Sequence, residues 1–318
     1  MGSVTQHKVP VIDFHKENLD PHSSCWISTS EHVVRALEDY GCFIVNYDEF
    51  PLELHEAIFG ASQKLFDLPI QTKVLNTSDT LTHGYAGQHP IAPLYEALGI
   101  EHPTTPQGVQ KFTNLLWPNG NDSFCEIALS YSKIAAKLEQ TVMRMVSQSY
   151  GIEKDYEKIL RSLTYLLRLI KYRKPRQNEN NVGIASHTDK TFMSIIHQHQ
   201  VKGLEIQTKE GEWLPIDLSS PSSFFVLVGD VCMAWTNGRI ESPEHRVILP
   251  EGIEERYSLG LFSFVRDSIV RVPEELVDDE HPLQYKPFDH LKLLQFFSTK
   301  DGKVKIVSKY DLKAYCGV

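Results

Sequence analysis

Apolar positions recur at helical spacing through the first half of the chain and at strand spacing through the second. "STSEHVVRALEDYG" at 28–41 has hydroxyl residues Ser28 to Ser30 to cap a helix and Gly41 to end it. "PLELHEAIFGASQKLFDLP" opens on Pro51 and closes near Pro69. A longer helix is predicted from Ser123, with Glu126 completing a capping box. Ile127, Tyr131, Ile134, Leu138, Val142 and Met145 form its buried stripe. Between these helices, roughly 76–121 is rich in Pro, Gly, Thr and His, and reads as an irregular segment that lines a site.

From "YLLRLIKYR" onward the pattern shortens. "TFMSIIHQ", "KGLEIQT", "EWLPIDL", "SSFFVLVGD" and "RYSLGLFSF" are β-branched or aromatic runs separated by turn residues, with a hairpin turn at Lys209 to Gly211. One helix remains near the end, "FDHLKLLQFF", with Leu291, Leu294 and Phe297 on one side. The expected architecture is a single domain over 1–318 with a mainly β core and flanking helices. Residues 1–160 are mostly helical, 161–270 form the β core, and 271–318 carry a helix and tail.

Charge narrows the functions this core can serve. Lys+Arg 32 against Asp+Glu 41 leaves a net -9, which argues against nucleic acid. The basic run "KYRKPR" is short and reads as a solvated loop. Five scattered cysteines without a CxxC suggest neither a disulfide scaffold nor a structural zinc site. The first residues have no long apolar signal core, and Gln6 stands where a myristoylation signal needs Ser or Thr. No apolar run has membrane-spanning length. A soluble cytoplasmic monomer is expected, with a small molecule rather than a membrane as partner.

The chemistry concentrates in "ASHTDKT". His187 and Asp189 are two apart, so on an extended segment both leave the same face. Imidazole with carboxylate suits a divalent transition ion but needs a third ligand. His245, in "NGRIESPEHRVILP", begins a strand that can pair beside the one bearing His187. Two histidines and a carboxylate on one face of an ion form the triad of non-haem ferrous oxygenases. The same ligands would also serve a zinc hydrolase, and they could instead be core histidines without metal. Arg256 stands on an otherwise nearly uncharged strand and asks for a buried anion. Ser258 shares its face, and Tyr172 on another strand can donate its hydroxyl.

"HTD" at 187–189, "HRV" at 245–247 and "RYS" at 256–258 resemble the signature of plant 2-oxoglutarate- and Fe(II)-dependent dioxygenases. The order matches, and so do the intervals of 56 residues from Asp189 to His245 and 11 from His245 to Arg256. "VPVIDF", "ALEDYGCFIV", "LFDLP", "GLEI" and "WTNGR" extend the resemblance over most of the chain. It implies a double-stranded β-helix, the jelly roll of cupin-like proteins. It also implies Fe(II) on His187, Asp189 and His245, with 2-oxoglutarate as cosubstrate on Arg256, Ser258 and Tyr172, and O2 as oxidant. Phe262 matches an aromatic position that faces substrate in many members. One departure is Ile170, where the family usually has an asparagine that orients the cosubstrate. Ile170 is therefore expected to face the substrate. The stretches around "AWTNGR" and "VPEELVDDEHPLQYKPF" resemble most the subgroup that modifies glucosinolates, steroidal alkaloids and lignans. A bulky, mostly apolar specialised metabolite is the expected substrate, with a phytohormone such as auxin or gibberellin as the alternative.

Overall fold

The computed structural model describes residues 8–80, 83–89, 92–218, 220–297 and 310–318. Gln6 and its neighbours, read above for targeting, lie outside them. In chain order the elements are β1 (Val11–Phe14), α1 (Ser24–Tyr40), β2 (Cys42–Tyr47), α2 (Leu52–Phe66), α3 (Ile70–Lys73), β3 (Ala86–His89), β4 (Ala92–Glu101), α4 (Pro106–Leu116), α5 (Asp122–Ser149) and α6 (Glu153–Ser162). Then come β5 (Leu163–Arg173), β6 (Val182–His187), β7 (Met193–Gln198), β8 (Leu204–Gln207), β9 (Trp213–Pro215), β10 (Ser223–Val228), α7 (Asp230–Trp235), β11 (His245–Ile248) and β12 (Glu255–Val265). The chain closes with β13 (Ile269–Val270), β14 (Phe288–Asp289), α8 (His290–Phe296) and α9 (Tyr310–Cys316).

Two sheets face each other. The larger runs β1-β2-β10-β7-β12-β5-β4-β3 and the smaller β6-β11-β8-β9. This is the expected jelly roll, a β core flanked by helices. The β5–β12 ladder pairs eleven residues without a break, from Glu255 opposite Arg173 to Val265 opposite Leu163. Period 2 splits its side chains between two environments. Leu167, Leu169, Tyr257, Leu259 and Leu261 join the core under the helices. Ile170 and Tyr172 join the core between the sheets.

The helices form for local reasons that only partly match the sequence reading. α1 starts earlier than Ser28. Ser23 is its cap, accepting from the Trp26 N–H at 3.0 Å, while the Ser30 hydroxyl bonds back to the Trp26 carbonyl inside the helix. Its end is where expected. Gly41 has φ 70° and donates to the Leu37 carbonyl. A Cβ there would come within 2.1 Å of the Glu241 carbonyl oxygen, so glycine is required twice over. α5 is capped by Asn121, whose side chain accepts from the Phe124 N–H at 3.1 Å, and not by a Ser123–Glu126 box. Its buried stripe keeps Tyr131, Leu138, Val142 and Met145, with Ile127 and Ile134 only partly covered.

Three other readings are corrected. The segment 76–121 is not irregular: β3 and β4 extend the large sheet and α4 follows. Its prolines and glycines disguised an edge pair, where ladder bonds can be spared. "KYRKPR" is not a free loop. Lys171 and Arg173 end β5, and Lys171, Arg173 and Lys174 pair with Glu255, Glu179 and Glu254. α8 buries His290, Leu293 and Phe297, one step round from the predicted face, and a second helix, α9, follows.

Within the helix-side core, α5 buries Glu139 with neither carboxylate oxygen hydrogen-bonded. Burial pushes its pKa up from 4.5 to about 8, and the Ser263 and Tyr165 hydroxyls beside it only partly offset this. The folded state therefore binds a proton that the unfolded chain releases above pH 4.5, and stability falls as pH rises from there to about 8. Glu139→Gln should remove that slope. Urea midpoints should show the variant gaining on the parent by on the order of 2 kcal/mol between pH 5 and pH 8.

Candidate metal centre

His187 ends β6 and His245 opens β11, and the register sets them directly opposite each other. Their ring centroids are 4.2 Å apart. Asp189 follows His187 by two residues. Its Oδ1 lies 3.6 Å from His187 Nε2 and 3.7 Å from His245 Nε2. The three donor atoms all fall within 4.8 Å of one another, the one such group among the described residues. Two metal–ligand bonds of about 2.1 Å each can bridge the carboxylate to either imidazole.

Neighbouring groups hold these donors in place. Ser194 on β7 donates to Asp189 Oδ2 at 2.6 Å, which leaves Oδ1 for the ion. The Nδ1 atoms of His187 and His245 face the carbonyls of Ala185 and Pro243 at 2.9 and 3.3 Å, which presents Nε2 to the centre. Burial would push the Asp189 carboxyl up, but His245, His187 and the Ser194 hydroxyl together hold it well below its usual range. Burial, with the neighbouring His187, lowers His245 to about 4, so it stays a neutral ligand at ordinary pH. An anionic oxygen and two imidazole nitrogens fit a divalent transition ion.

Arg256 lies deeper between the sheets and is 1% exposed. Its Nη1 donates to the Ser258 hydroxyl at 3.2 Å and its Nη2 to Gln198 Oε1 at 3.1 Å, while Nε has no partner. The guanidinium sits 5.2 Å from the centre of the Tyr172 ring. Gly183 makes room for that ring, since a Cβ there would come within 2.8 Å of it. No carboxylate forms an ion pair with Arg256 among the described residues. Burial lowers its pKa only from an arginine's high starting value, so the charge stays. A buried, unpaired guanidinium with an unused donor is a receptor for an anion from outside.

The fold thus brings His187, Asp189 and His245 to one point, and Arg256, Ser258 and Tyr172 to a second. Ile170 is buried on the inner face, opposite Ser258 and Ala97. Phe262 is half-buried two residues beyond Gly260, where a Cβ would strike its ring at 2.5 Å. Gln198 gave no signal in the sequence, being a neutral amide between two histidines. Those histidines are not ligands: His197 packs under the helices against Tyr131 and Phe224, and hydrogen-bonds His55.

A jelly roll with a two-histidine, one-carboxylate centre and a buried anion receptor defines a class, the mononuclear non-haem iron oxygenases that use an oxo-acid cosubstrate. Comparison with known proteins agrees. Residues 163–265 match the 2OG-Fe(II) oxygenase superfamily, and 9–119 match the non-haem dioxygenase in morphine synthesis N-terminal family. The chain is 44% identical over 302 residues to the probable 2-oxoglutarate-dependent dioxygenase AOP1 of Arabidopsis thaliana, covering 93% of this chain and 98% of that one. A solved 2-oxoglutarate complex of AtDAO1, a dioxygenase for auxin oxidation from Arabidopsis thaliana, is 30% identical with a TM-score of 0.77, covering 86% and 100% of the two chains. A rice dioxygenase for auxin oxidation is 28% identical with a TM-score of 0.79, covering 98% and 100%. The chain belongs to the 2-oxoglutarate- and Fe(II)-dependent oxygenase superfamily.

Among the described residues no helix is long and apolar enough to cross a membrane. The protein should bind one Fe(II) per chain. Asp189→Ala and His245→Ala should each abolish that binding in calorimetry under anaerobic conditions. Their circular dichroism should be unchanged, because neither side chain belongs to the apolar clusters of the core.

Proposed function

We propose that the protein oxidises a plant specialised small molecule, by hydroxylation, desaturation or ring closure, with 2-oxoglutarate and O2 consumed and succinate and CO2 released. The single observation that carries the site assignment is the unpaired, buried Arg256 guanidinium, since a hydrolase using the same three ligands has no use for it. The 44% identity to a probable 2-oxoglutarate-dependent dioxygenase supports the reaction class. A second reading, oxidation of a phytohormone such as auxin or gibberellin, draws on the 30% identity to the auxin-oxidising enzyme.

In this reading His187, Asp189 and His245 would hold Fe(II). When bound, that ion supplies the redox and dioxygen chemistry. The chain's own work is binding and orientation. Arg256 and Ser258 receive the distal carboxylate of 2-oxoglutarate, with Gln198 fixing the guanidinium plane and Tyr172 beneath it. Ile170 replaces the family's usual hydrogen-bonding asparagine with an apolar wall. Leu204, Ile206 and Val247 on the facing sheet keep water from that end of the chamber. Phe262 and Ile170 face the organic substrate, which we take to have a bulky apolar body. We also read the chain as one catalytic domain and a monomer, acting in the cytoplasm.

Anaerobic protein with Fe(II) and 2-oxoglutarate should develop a weak visible charge-transfer band, which a zinc hydrolase or an apo binding protein would lack. Arg256→Met should raise the 2-oxoglutarate dissociation constant by about 30-fold or more, and Arg256→Lys should recover part of it. Titration of the visible band measures both. An unchanged affinity in Arg256→Met would refute the anchor.

A further inference from the structure

Of the three metal-centre residues, Asp189 alone has no strand to hold it. His187 and His245 face each other in the β6–β11 ladder. Asp189 falls after β6 ends at His187 and before β7 begins at Met193, in a stretch without regular structure. Its position is therefore set by contacts made one at a time. Ser194 holds its side chain, and its carbonyl accepts from the Asp230 N–H at 2.8 Å. Its neighbours on both sides reach the buried Asp230 carboxylate. The Thr188 hydroxyl donates to it at 3.3 Å and the Lys190 ammonium at 2.5 Å. The next carbonyl along, that of Lys190, is held from a different part of the chain.

That part is α8. His290, its first residue and 100 positions beyond Lys190, is fully buried. The Val265 N–H, at the end of β12, donates to His290 Nδ1 at 3.0 Å, and Nε2 lies 2.7 Å from the Lys190 carbonyl oxygen. A backbone N–H can only donate and a carbonyl can only accept, so the tautomer is fixed: Nδ1 holds the lone pair and Nε2 the proton. Burial lowers the ring's pKa to about 4, which keeps it neutral. The far end of α8 grips the same lysine again. Lys190 Nζ stands 5.1 Å from the centre of the buried Phe297 ring. A leucine at 290 would fill the space as well. What imidazole adds is one hydrogen bond at each end. The bond from Val265 finishes a strand and needs only an acceptor. The bond to Lys190 needs a donor, and it fixes the backbone one residue past Asp189.

We infer that His290 is a positioning residue for Asp189, and that through it the packing of α8 and the occupancy of the metal centre are linked. The inference rests on the metal centre described above, and on the oxygenase reading only for the identity of the ion. His290 touches none of the three ligands. It acts through the Lys190 carbonyl, as Asp230 acts through its own N–H on the other side. The two clamp the segment 188–191 from opposite elements, α7 and α8, so that the carboxylate is placed before the ion arrives. Such linkage is reciprocal. Whatever loosens the bond from α8 weakens the hold on the metal, and a bound metal must in turn steady α8.

Two amide substitutions separate the two bonds. His290→Asn sets a carboxamide oxygen near the place of Nδ1, so it keeps the acceptor for Val265 and loses the donor to Lys190. His290→Gln carries its N–H donors out to the place of Nε2 and gives up the Val265 bond instead. Calorimetry of the full chain without oxygen should show Fe(II) binding weakened about fivefold or more in His290→Asn and kept within about twofold of the parent in His290→Gln. The visible spectrum of the Co(II)-loaded protein should change in the first variant and not in the second. If His290→Asn holds Fe(II) as the parent does, or if both variants lose it equally, the ring only packs and the inference is overturned. Hydrogen exchange on the parent decides the matter even where a variant does not fold. Fe(II) should slow exchange over 290–297 as well as over 187–191, and protection confined to 187–191 would overturn the link. Failure of the oxygenase reading would look different: 2-oxoglutarate binding would not depend on Arg256, while the coupling between α8 and the metal remained.

Discussion

The β5–β12 ladder has to be two surfaces at once, and the rest of the molecule follows from that. One face packs Leu167, Leu169, Leu259 and Leu261 under the helices. The other presents Arg168, Tyr172, Arg256 and Ser258 to the space between the sheets. Eleven unbroken pairs keep the alternation in phase over the whole length. A one-residue slip would turn the guanidinia into the apolar core and the leucines into the chamber, so the register is held by a large energetic difference. The helix-side core thus does more than stabilise the fold. It keeps every polar group of the chamber at a fixed height.

The chamber is in turn a place where charge is left unsatisfied. Elsewhere ionic groups pair at the surface, as Lys202 does with Asp217 and Lys174 with Glu254. Such pairs contribute little to stability. Arg168 and Arg256 have no such partners. Their desolvation is a standing cost borne by the apolar cores on both sides of the large sheet. That cost is returned when an anion binds, so the free protein is poorer in stability and richer in affinity. The same logic fits the triad, where an ionised Asp189 faces two imidazoles with only Ser194 to satisfy its second oxygen.

How much of this could be read from sequence depended on contrast. His187 and Asp189 stood out by spacing, and His245 by its place at the start of a strand that the register then set opposite His187. Arg256 was legible because its strand carries almost no other charge. Arg168 was not, because in "RLIKYR" it sits among Lys171 and Arg173, and no local pattern separates a cation that has an acid waiting for it from one that does not. Gln198 was hidden for a similar reason, between two histidines that proved to be packing residues. The strands β3 and β4 were lost to their prolines and glycines, yet Gly99 pairs with Arg168 and admits the His83 carbonyl that packs against it. Side-chain identity was visible from the start. What each side chain lacked became visible only with the fold.

Ile170 and the two glycines then make sense together. On β5 the inner face runs Arg168, Ile170, Tyr172, so an apolar residue separates the two cationic levels. A hydrogen-bonding side chain at 170 would compete for whatever anion lies above or below it. Isoleucine competes for neither, and its branched shape limits where a flexible ligand can bend. Gly99 and Gly260, the register partners of Arg168, leave room for the His83 carbonyl and for the Phe262 ring, which covers Gly260 with a flat apolar surface. The chamber is thus divided along one strand into a charged end, an apolar middle and a second charged end.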